Sequence, residues 1–162
     1  MRWAGVVLAV VAFALSGCGD DGIDGAQFVE AVTLERAYTD GRGEARDVNT
    51  TMFLNALYTS ERELPVTLPS GTQAVLADVS TINDGRDPFP LEWAVFTART
   101  REGRTLGEKL RQGPRRVTDK EQVVSVGFAV PDGDEVTEVR MRSIVDVWPF
   151  RATLKPPRDD DT

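Results

Sequence analysis

The sequence contains no histidine and only one cysteine, Cys18. The absence of histidine excludes Ser-His-Asp hydrolysis and Cys-His chemistry, and it removes the commonest zinc ligand. A single cysteine cannot form a disulfide within the chain, so the fold must depend on packing alone. Catalysis would have to use carboxylates, Lys, Ser or Tyr, and no such centre is evident. We therefore predict a protein that is not an enzyme, with no catalytic residue, no cofactor and no metal.

The chain also lacks an apolar run long enough to cross a membrane. Its longest run, Trp3 to Leu15, has thirteen residues and follows a short basic start at Met1 and Arg2. A transmembrane helix needs roughly 20 apolar residues, whereas the hydrophobic region of a secretory signal needs about 7 to 15. The run therefore predicts a signal peptide.

The last residue of this run and the three that follow it, Leu15, Ser16, Gly17 and Cys18, resemble a bacterial lipobox at every position. The resemblance implies removal of residues 1–17, attachment of a diacylglycerol to the Cys18 sulfur and further acylation, for example with palmitate. Two or more acyl chains hold a protein stably at a bilayer. We expect a lipid anchor at the extracytoplasmic face of a cell membrane. The alternative is an ordinary secretory signal with a free cysteine nearby.

Removing residues 1–17 from the 162 residues leaves 145, which is the size of one domain with a proper core. Arg2 leaves with the signal, so the net charge changes from −7 to −8. Nucleic-acid binding depends on neutralising phosphates with Lys and Arg, and so acidic a chain is not expected to bind nucleic acid.

Polar segments flank the predicted domain, 26–155. Residues 18–25 form a lipidated cysteine and a flexible, glycine-rich tether, and residues 156–162 form a disordered acidic tail. Asp20, Asp21 and Asp24 could be imagined as calcium ligands, but their spacing lacks the twelve-residue EF-hand pattern, so a solvated tether is the preferred interpretation.

Within the domain, apolar residues recur at every second position, which is typical of β-strands. Turn sequences such as Asn83-Asp84-Gly85 and Pro131-Asp132-Gly133 separate the predicted strands. We predict strands at 28–39, 51–59, 73–82, 91–99, 124–130, 138–142 and 144–154. The charged residues 104–121 are predicted to be a long connection with one short helical turn at 106–110. About seven short strands predict an all-β fold, either a β-sandwich or a small barrel.

Three segments carry a family resemblance: Thr81-Ile82-Asn83 with Pro88 downstream, the turn Arg101-Glu102-Gly103-Arg104, and the strand 126–131 (Val-Gly-Phe-Ala-Val-Pro). Together they resemble the immunoglobulin-like domains of unknown function of the DUF4352 type, found on bacterial lipoproteins. The resemblance covers residues 72–142. It implies an immunoglobulin-like antiparallel β-sandwich outside the membrane and no particular activity.

Two features are candidate partner contacts. Trp148 and Phe150 share one face of the last predicted strand, and an exposed aromatic pair there would suit a partner protein, whereas burial of both faces is the alternative. Residues 101–120 carry a net charge of +4 in an acidic chain. We predict that Arg115 and Arg116 face anionic headgroups, cell-wall polymer or an acidic partner, the alternative being an ordinary solvated loop. Trp93 is predicted to be a core residue because Leu91 and Val95 share its face.

Asp132, Asp134 and Glu135 follow Pro131 and could hold a calcium ion, although a Pro-Asp-Gly turn explains the first of them without a metal.

Three functions from different classes remain open. The first is a membrane-anchored interaction or accessory module of the cell envelope that binds another envelope protein. The second is a small-ligand or ion binder in the same compartment. The third and least favoured is a carboxylate enzyme such as a glycosidase.

Overall fold

A computed structural model describes residues 31–40, 42–60, 64–146 and 148–156. The predicted signal peptide, the whole of the predicted tether with Cys18 (residues 18–25), the start of the first predicted strand and residues 157–162 of the tail lie outside these residues. The described chain is all-β, which confirms the predicted fold class. Its strands are β1 (Val32–Thr39), β2 (Ala45–Thr59), β3 (Thr72–Asn83), β4 (Ala94–Thr100), β5 (Thr105–Gln112), β6 (Gln122–Pro131), β7 (Val136–Ser143) and β8 (Arg151–Leu154). A 3-10 helix at Leu91–Trp93 precedes β4. Among the described residues, no helix has the length and apolar character needed to span a membrane.

The strands form two antiparallel sheets that share β5. The larger sheet has the order β1-β2-β3-β6-β5, and the smaller continues β5-β4-β7-β8. Residues 105–107 of β5 pair with β4, and the residues from Glu108 onward pair with β6. The orders β2-β3-β6-β5 and β4-β7-β8 are those of the two sheets of a constant-type immunoglobulin domain. Strand β1 is an addition that pairs with the first half of β2.

The core lies between the two sheets. Alternate residues of the larger sheet, including Leu54, Val79 and Val126, are fully buried against residues of the smaller sheet such as Phe96 and Val139. This is the inward alternation that the sequence pattern predicts for β3 and β6. Aromatic side chains close the core at one end.

The basic connection contains a strand that the sequence analysis did not predict. Residues 105–112 form β5, not a helical turn, so the described residues form eight strands where about seven were expected. Leu106, Glu108 and Leu110 are half-buried at every second position. The half-buried carboxylate of Glu108 is paired with Arg111, whose Nε donates to Glu108 Oε2 at 2.8 Å. Because a charged residue occupies an inward position of β5, the sequence does not show the alternation of apolar and polar residues that predicts a strand.

Two other predicted strands are shorter than expected. The 3-10 helix shifts the start of β4 to Ala94, so Ala94, Phe96 and Ala98 face the core while Val95 does not. The predicted strand 144–154 is a strand only over Arg151–Leu154, because the chain forms a connection up to Phe150.

The antiparallel order divides the loops between two ends of the sandwich. Loops 60–71, 101–104 and 132–135 lie at one end, called here the opposite end. The connections 40–44, 84–93, 113–121 and 144–150 meet at the other, called here the aromatic end. Strand β1 begins between the two ends, with Val32 opposite Met52 of β2.

Candidate binding cleft

Five aromatic side chains pack together at the aromatic end. Trp148 stacks on Tyr38 with ring centroids 5.1 Å apart, and it contacts Phe89 at 4.9 Å and Phe150 at 4.8 Å. Trp148 is 1% exposed and Phe150 is 6% exposed. The prediction that these two residues form an exposed partner contact is therefore wrong. These two rings pack with Phe89 and belong to the buried core.

A cleft lies over this cluster. Its aromatic side is formed by Tyr38 and Trp93, which are half-buried and meet edge-to-face with centroids 5.7 Å apart. The cavity has a volume of about 140 Å³ and is lined by Tyr38, Asp40, Arg46, Asp87, Pro88, Pro90, Glu92, Trp93 and Arg116. Trp93 packs against the core as predicted, but it also belongs to this cleft.

Arg46 holds one wall of the cleft. Its Nε and Nη2 donate to Asp40 Oδ2 at 3.0 and 2.9 Å, and its Nη1 donates to Asp87 Oδ1 at 3.2 Å. The backbone N–H groups of Glu44 and Arg42 donate to Asp40 Oδ1, and that of Asp47 donates to Asp87 Oδ2. The carboxylates of Asp40 and Asp87 therefore hold the surrounding loops in place through these hydrogen bonds.

These contacts shift both carboxyl groups towards the charged form. The pKa of Asp40 is lowered mainly by the hydrogen bond from the Glu44 backbone and next by the Arg46 side chain. The pKa of Asp87 is lowered mainly by the Asp47 backbone N–H, with Arg46 adding to the effect against some burial. The wall is therefore ionised and ordered at neutral pH.

Glu92 and Arg116 form the rim. Arg116 Nε and Nη2 donate to Glu92 Oε1 at 3.2 and 3.1 Å, and the Glu92 backbone N–H donates to the Arg115 carbonyl at 3.0 Å. Arg116 thus joins the cleft, and the exposed Arg115 lies beside it. Three carboxylates and two guanidinium groups line the cleft, which leaves a net charge of −1.

Polar groups of the cleft remain available to a ligand. Within the described chain, no hydrogen bond is formed by the Tyr38 hydroxyl, the Trp93 Nε1 or Glu92 Oε2. Burial raises the pKa of Tyr38, and nearby Arg46 opposes that rise. The hydroxyl is therefore protonated at neutral pH and can donate a hydrogen bond.

The loops that carry the cleft are tied down by a buried amide. Asn83 Oδ1 accepts from the Thr50 hydroxyl and the Asn49 backbone, and Asn83 Nδ2 donates to the Asp87 carbonyl at 2.7 Å. Gly85 approaches the β2 backbone so closely that an added Cβ would lie 2.4 Å from the Asn49 nitrogen. The cleft is therefore preformed.

The acidic turn at the opposite end has a structural role. Asp134 Oδ1 accepts from the Glu135 and Glu102 backbone N–H groups at 2.9 and 3.3 Å, and this joins turn 132–135 to turn 101–104. Burial opposes ionisation of Asp134, but hydrogen bonds from Thr100 and these N–H groups outweigh it and lower the pKa. Asp132 is exposed and Glu135 pairs with Arg101. The described residues contain no group of three potential ligands arranged for a metal.

Two larger cavities lie near the opposite end. One of about 440 Å³ is bordered by residues 55–59 of β2, residues 134–136 and Pro156. The other, of about 530 Å³, lies under the loop 64–68.

Sequence reasoning missed most of the cleft. It weighed Arg116 as a contact and Trp93 as core, but it gave no role to Tyr38, Arg46 or Asp87. The segment Asp87-Pro88-Phe89-Pro90 is the only local signal, because two prolines flanking an aromatic residue predict a rigid, exposed loop.

Comparison with known proteins adds little to this geometry. No protein-family model matches the chain, and no curated protein matches it. A crystal structure of an uncharacterized β-sandwich protein from Clostridium difficile 630 is 10% identical, with a TM-score of 0.30, and the match covers 82% of this chain and 89% of that one. The resemblance to the DUF4352 type stays a prediction.

Proposed function

We propose that the chain is a lipid-anchored, extracytoplasmic interaction module of a bacterial cell envelope, without catalysis of its own, that binds another envelope protein through the cleft. The preformed cleft with unoccupied polar groups is the observation that carries the proposal. The lipobox at Cys18 supports the anchoring and the compartment.

The predicted tether gives the cleft reach beyond the membrane surface. Strand β1 begins halfway along β2, with Val32 opposite Met52. Residues 18–30, which connect the predicted anchor to it, can span at most about 45 Å when fully extended. A cleft on such a tether can reach a partner protein that lies beyond the headgroups of the anchoring membrane.

The size of the cleft also favours a protein partner. Sites for whole small ligands usually enclose about 300 to 1,000 Å³. A cavity of about 140 Å³ admits a single side chain or ring that projects from a larger partner. Hot spots of protein interfaces have this form, with aromatic and arginine residues around a small pocket.

The test is chemical crosslinking of the full-length, lipidated protein in its native membrane, compared with Cys18→Ser and Glu92→Lys variants. We expect Cys18→Ser to leave the membrane fraction, and both variants to lose one dominant crosslinked partner. A Cys18→Ser protein that stays membrane-bound with normal signal processing refutes the anchor. A partner that Glu92→Lys retains undiminished refutes the cleft as the contact.

The cavity of about 440 Å³ favours a small-ligand binder as the second candidate, since its volume suits a whole ligand. A thermal-shift screen of the unlipidated protein separates the two candidates. Stabilisation by a small molecule that Val136→Trp abolishes, with no effect of Glu92→Lys, supports this alternative.

A further inference from the structure

We propose that the cleft binds an extended, proline-containing segment of the partner that also carries a basic side chain. The inference rests on the proposed function and specifies the chemistry of the partner. The ring contacts, the unoccupied donors and the charge of the cleft each support one part of it.

The walls suit a proline ring. Tyr38 and Trp93 meet at an interplanar angle of 70°, and Pro88 and Pro90 line the same cavity. Grooves lined by aromatic residues are the usual docking sites for proline-rich segments in the polyproline II conformation. The volume of about 140 Å³ fits one ring-sized group rather than a whole ligand.

The unoccupied polar groups match the backbone of such a segment. A polyproline II helix has no internal hydrogen bonds, so its carbonyl oxygens need external donors. The indole N–H of Trp93 and the hydroxyl of Tyr38 are donors that no described residue uses.

The charge of the cleft selects a basic neighbour. Glu92 Oε1 accepts from Arg116, whereas no residue in the described part of the chain donates to Glu92 Oε2. Glu44 also pairs with Arg46 beside the cleft and adds a negative charge. A lysine or arginine flanking the proline would meet this acidic rim, and an acidic segment would be repelled.

The test uses the unlipidated Cys18→Ser protein, labelled with nitrogen-15, and three short capped peptides. One repeats Arg-Pro-Pro, the second replaces each proline with alanine, and the third replaces each arginine with glutamate. The Trp93 indole N–H resonance reports binding directly. We expect only the Arg-Pro-Pro peptide to shift it, with saturation.

Matched variants separate the contributions. Trp93→Phe keeps an aromatic ring and removes the donor, and Glu92→Gln removes one charge. Because Trp93→Phe also removes the reporter resonance, isothermal titration calorimetry measures the affinity of every variant, and we expect each of these two to weaken binding by about three- to tenfold. Asp132→Asn removes one exposed charge at the opposite end and should leave the affinity unchanged. Circular dichroism of each variant verifies folding.

Three outcomes would overturn the inference. One is equal binding of the alanine peptide, another is stronger binding of the glutamate peptide, and the third is no binding of the Arg-Pro-Pro peptide to a folded protein. If the crosslinked partner still depends on Glu92 in any of these cases, the proposed function stands and only the partner chemistry is wrong. If that dependence is also absent, both fail.

Discussion

Replacing Trp148 with alanine tests the account of the aromatic end. Trp148 is 1% exposed and contacts three aromatic rings within about 5 Å, namely Tyr38 at 5.1 Å, Phe89 at 4.9 Å and Phe150 at 4.8 Å. Truncating a buried Phe or Trp to Ala costs about 3 to 5 kcal/mol, because apolar contacts are lost and a cavity remains. The free energy of unfolding of a domain is about 5 to 15 kcal/mol, so this one change removes a large share of it.

Urea unfolding of the Cys18→Ser protein, followed by circular dichroism, measures this effect. With a loss of about 4 kcal/mol and a slope of about 2 kcal/mol per molar urea, the midpoint should fall by about 2 M. Ile144→Ala is the matched control, because Ile144 is exposed in the same connection and should change the stability by under about 0.5 kcal/mol. If Trp148→Ala costs no more than Ile144→Ala, Trp148 is not a core residue, and the packing under the cleft is wrong.

Three further changes test the loops and strands that hold the cleft. Gly85→Ala should destabilise the protein by about 1 to 3 kcal/mol, because the added Cβ would lie 2.4 Å from the Asn49 nitrogen. Gly107→Ala is the control, because its added Cβ would lie in open space and should not change the stability. Urea unfolding midpoints compare the two variants, and equal midpoints would contradict the close approach of Gly85 to β2. Arg111→Ala should cost about 1 to 3 kcal/mol, because Arg111 donates to the Leu91 and Ala94 carbonyls at 3.1 and 2.8 Å and pairs with Glu108, while the exposed neighbour Lys109→Ala should be neutral in the same assay. The pKa of Asp87 is lowered in the folded protein, so its contribution to stability is present above its ordinary pKa of about 3.9 and is lost as the pH falls through the lowered value. The stability difference between Asp87→Asn and the parent should therefore be largest near neutral pH and shrink once the pH falls below that ordinary pKa. A difference that grows on acidification would refute this assignment.

The strand pattern was predictable where one side of each strand faces the core. In β3, Val75, Ala77 and Val79 alternate into the interior, and such alternation needs no tertiary information. The pattern failed at β5, because Glu108 occupies an inward position that only its pairing with Arg111 makes tolerable. At β4 the pattern predicted a strand but assigned the wrong residues to its inward face, because the 3-10 helix changes which residues face the core.

The cleft was not predictable in the same way. Tyr38 lies near the end of β1, Trp93 precedes β4, and Arg116 lies between β5 and β6. Only the packing of the two sheets brings these residues together. Trp148 and Phe150 were misassigned because a run of alternating residues does not reveal whether a terminal segment is covered on both faces. A site whose residues are far apart in the sequence cannot be predicted from local patterns, because it depends on which loops meet at one end of the sandwich.

The most direct test of the central claim is site-specific photo-crosslinking in native membranes. A photoreactive residue replaces either Arg115, which is exposed beside the cleft, or Asp132, which is exposed at the opposite end. The account predicts that position 115 captures one dominant envelope protein, that Glu92→Lys abolishes the capture, and that position 132 captures none. Capture from position 132 alone, or capture from position 115 that Glu92→Lys leaves unchanged, would contradict the claim that this cleft binds an envelope partner.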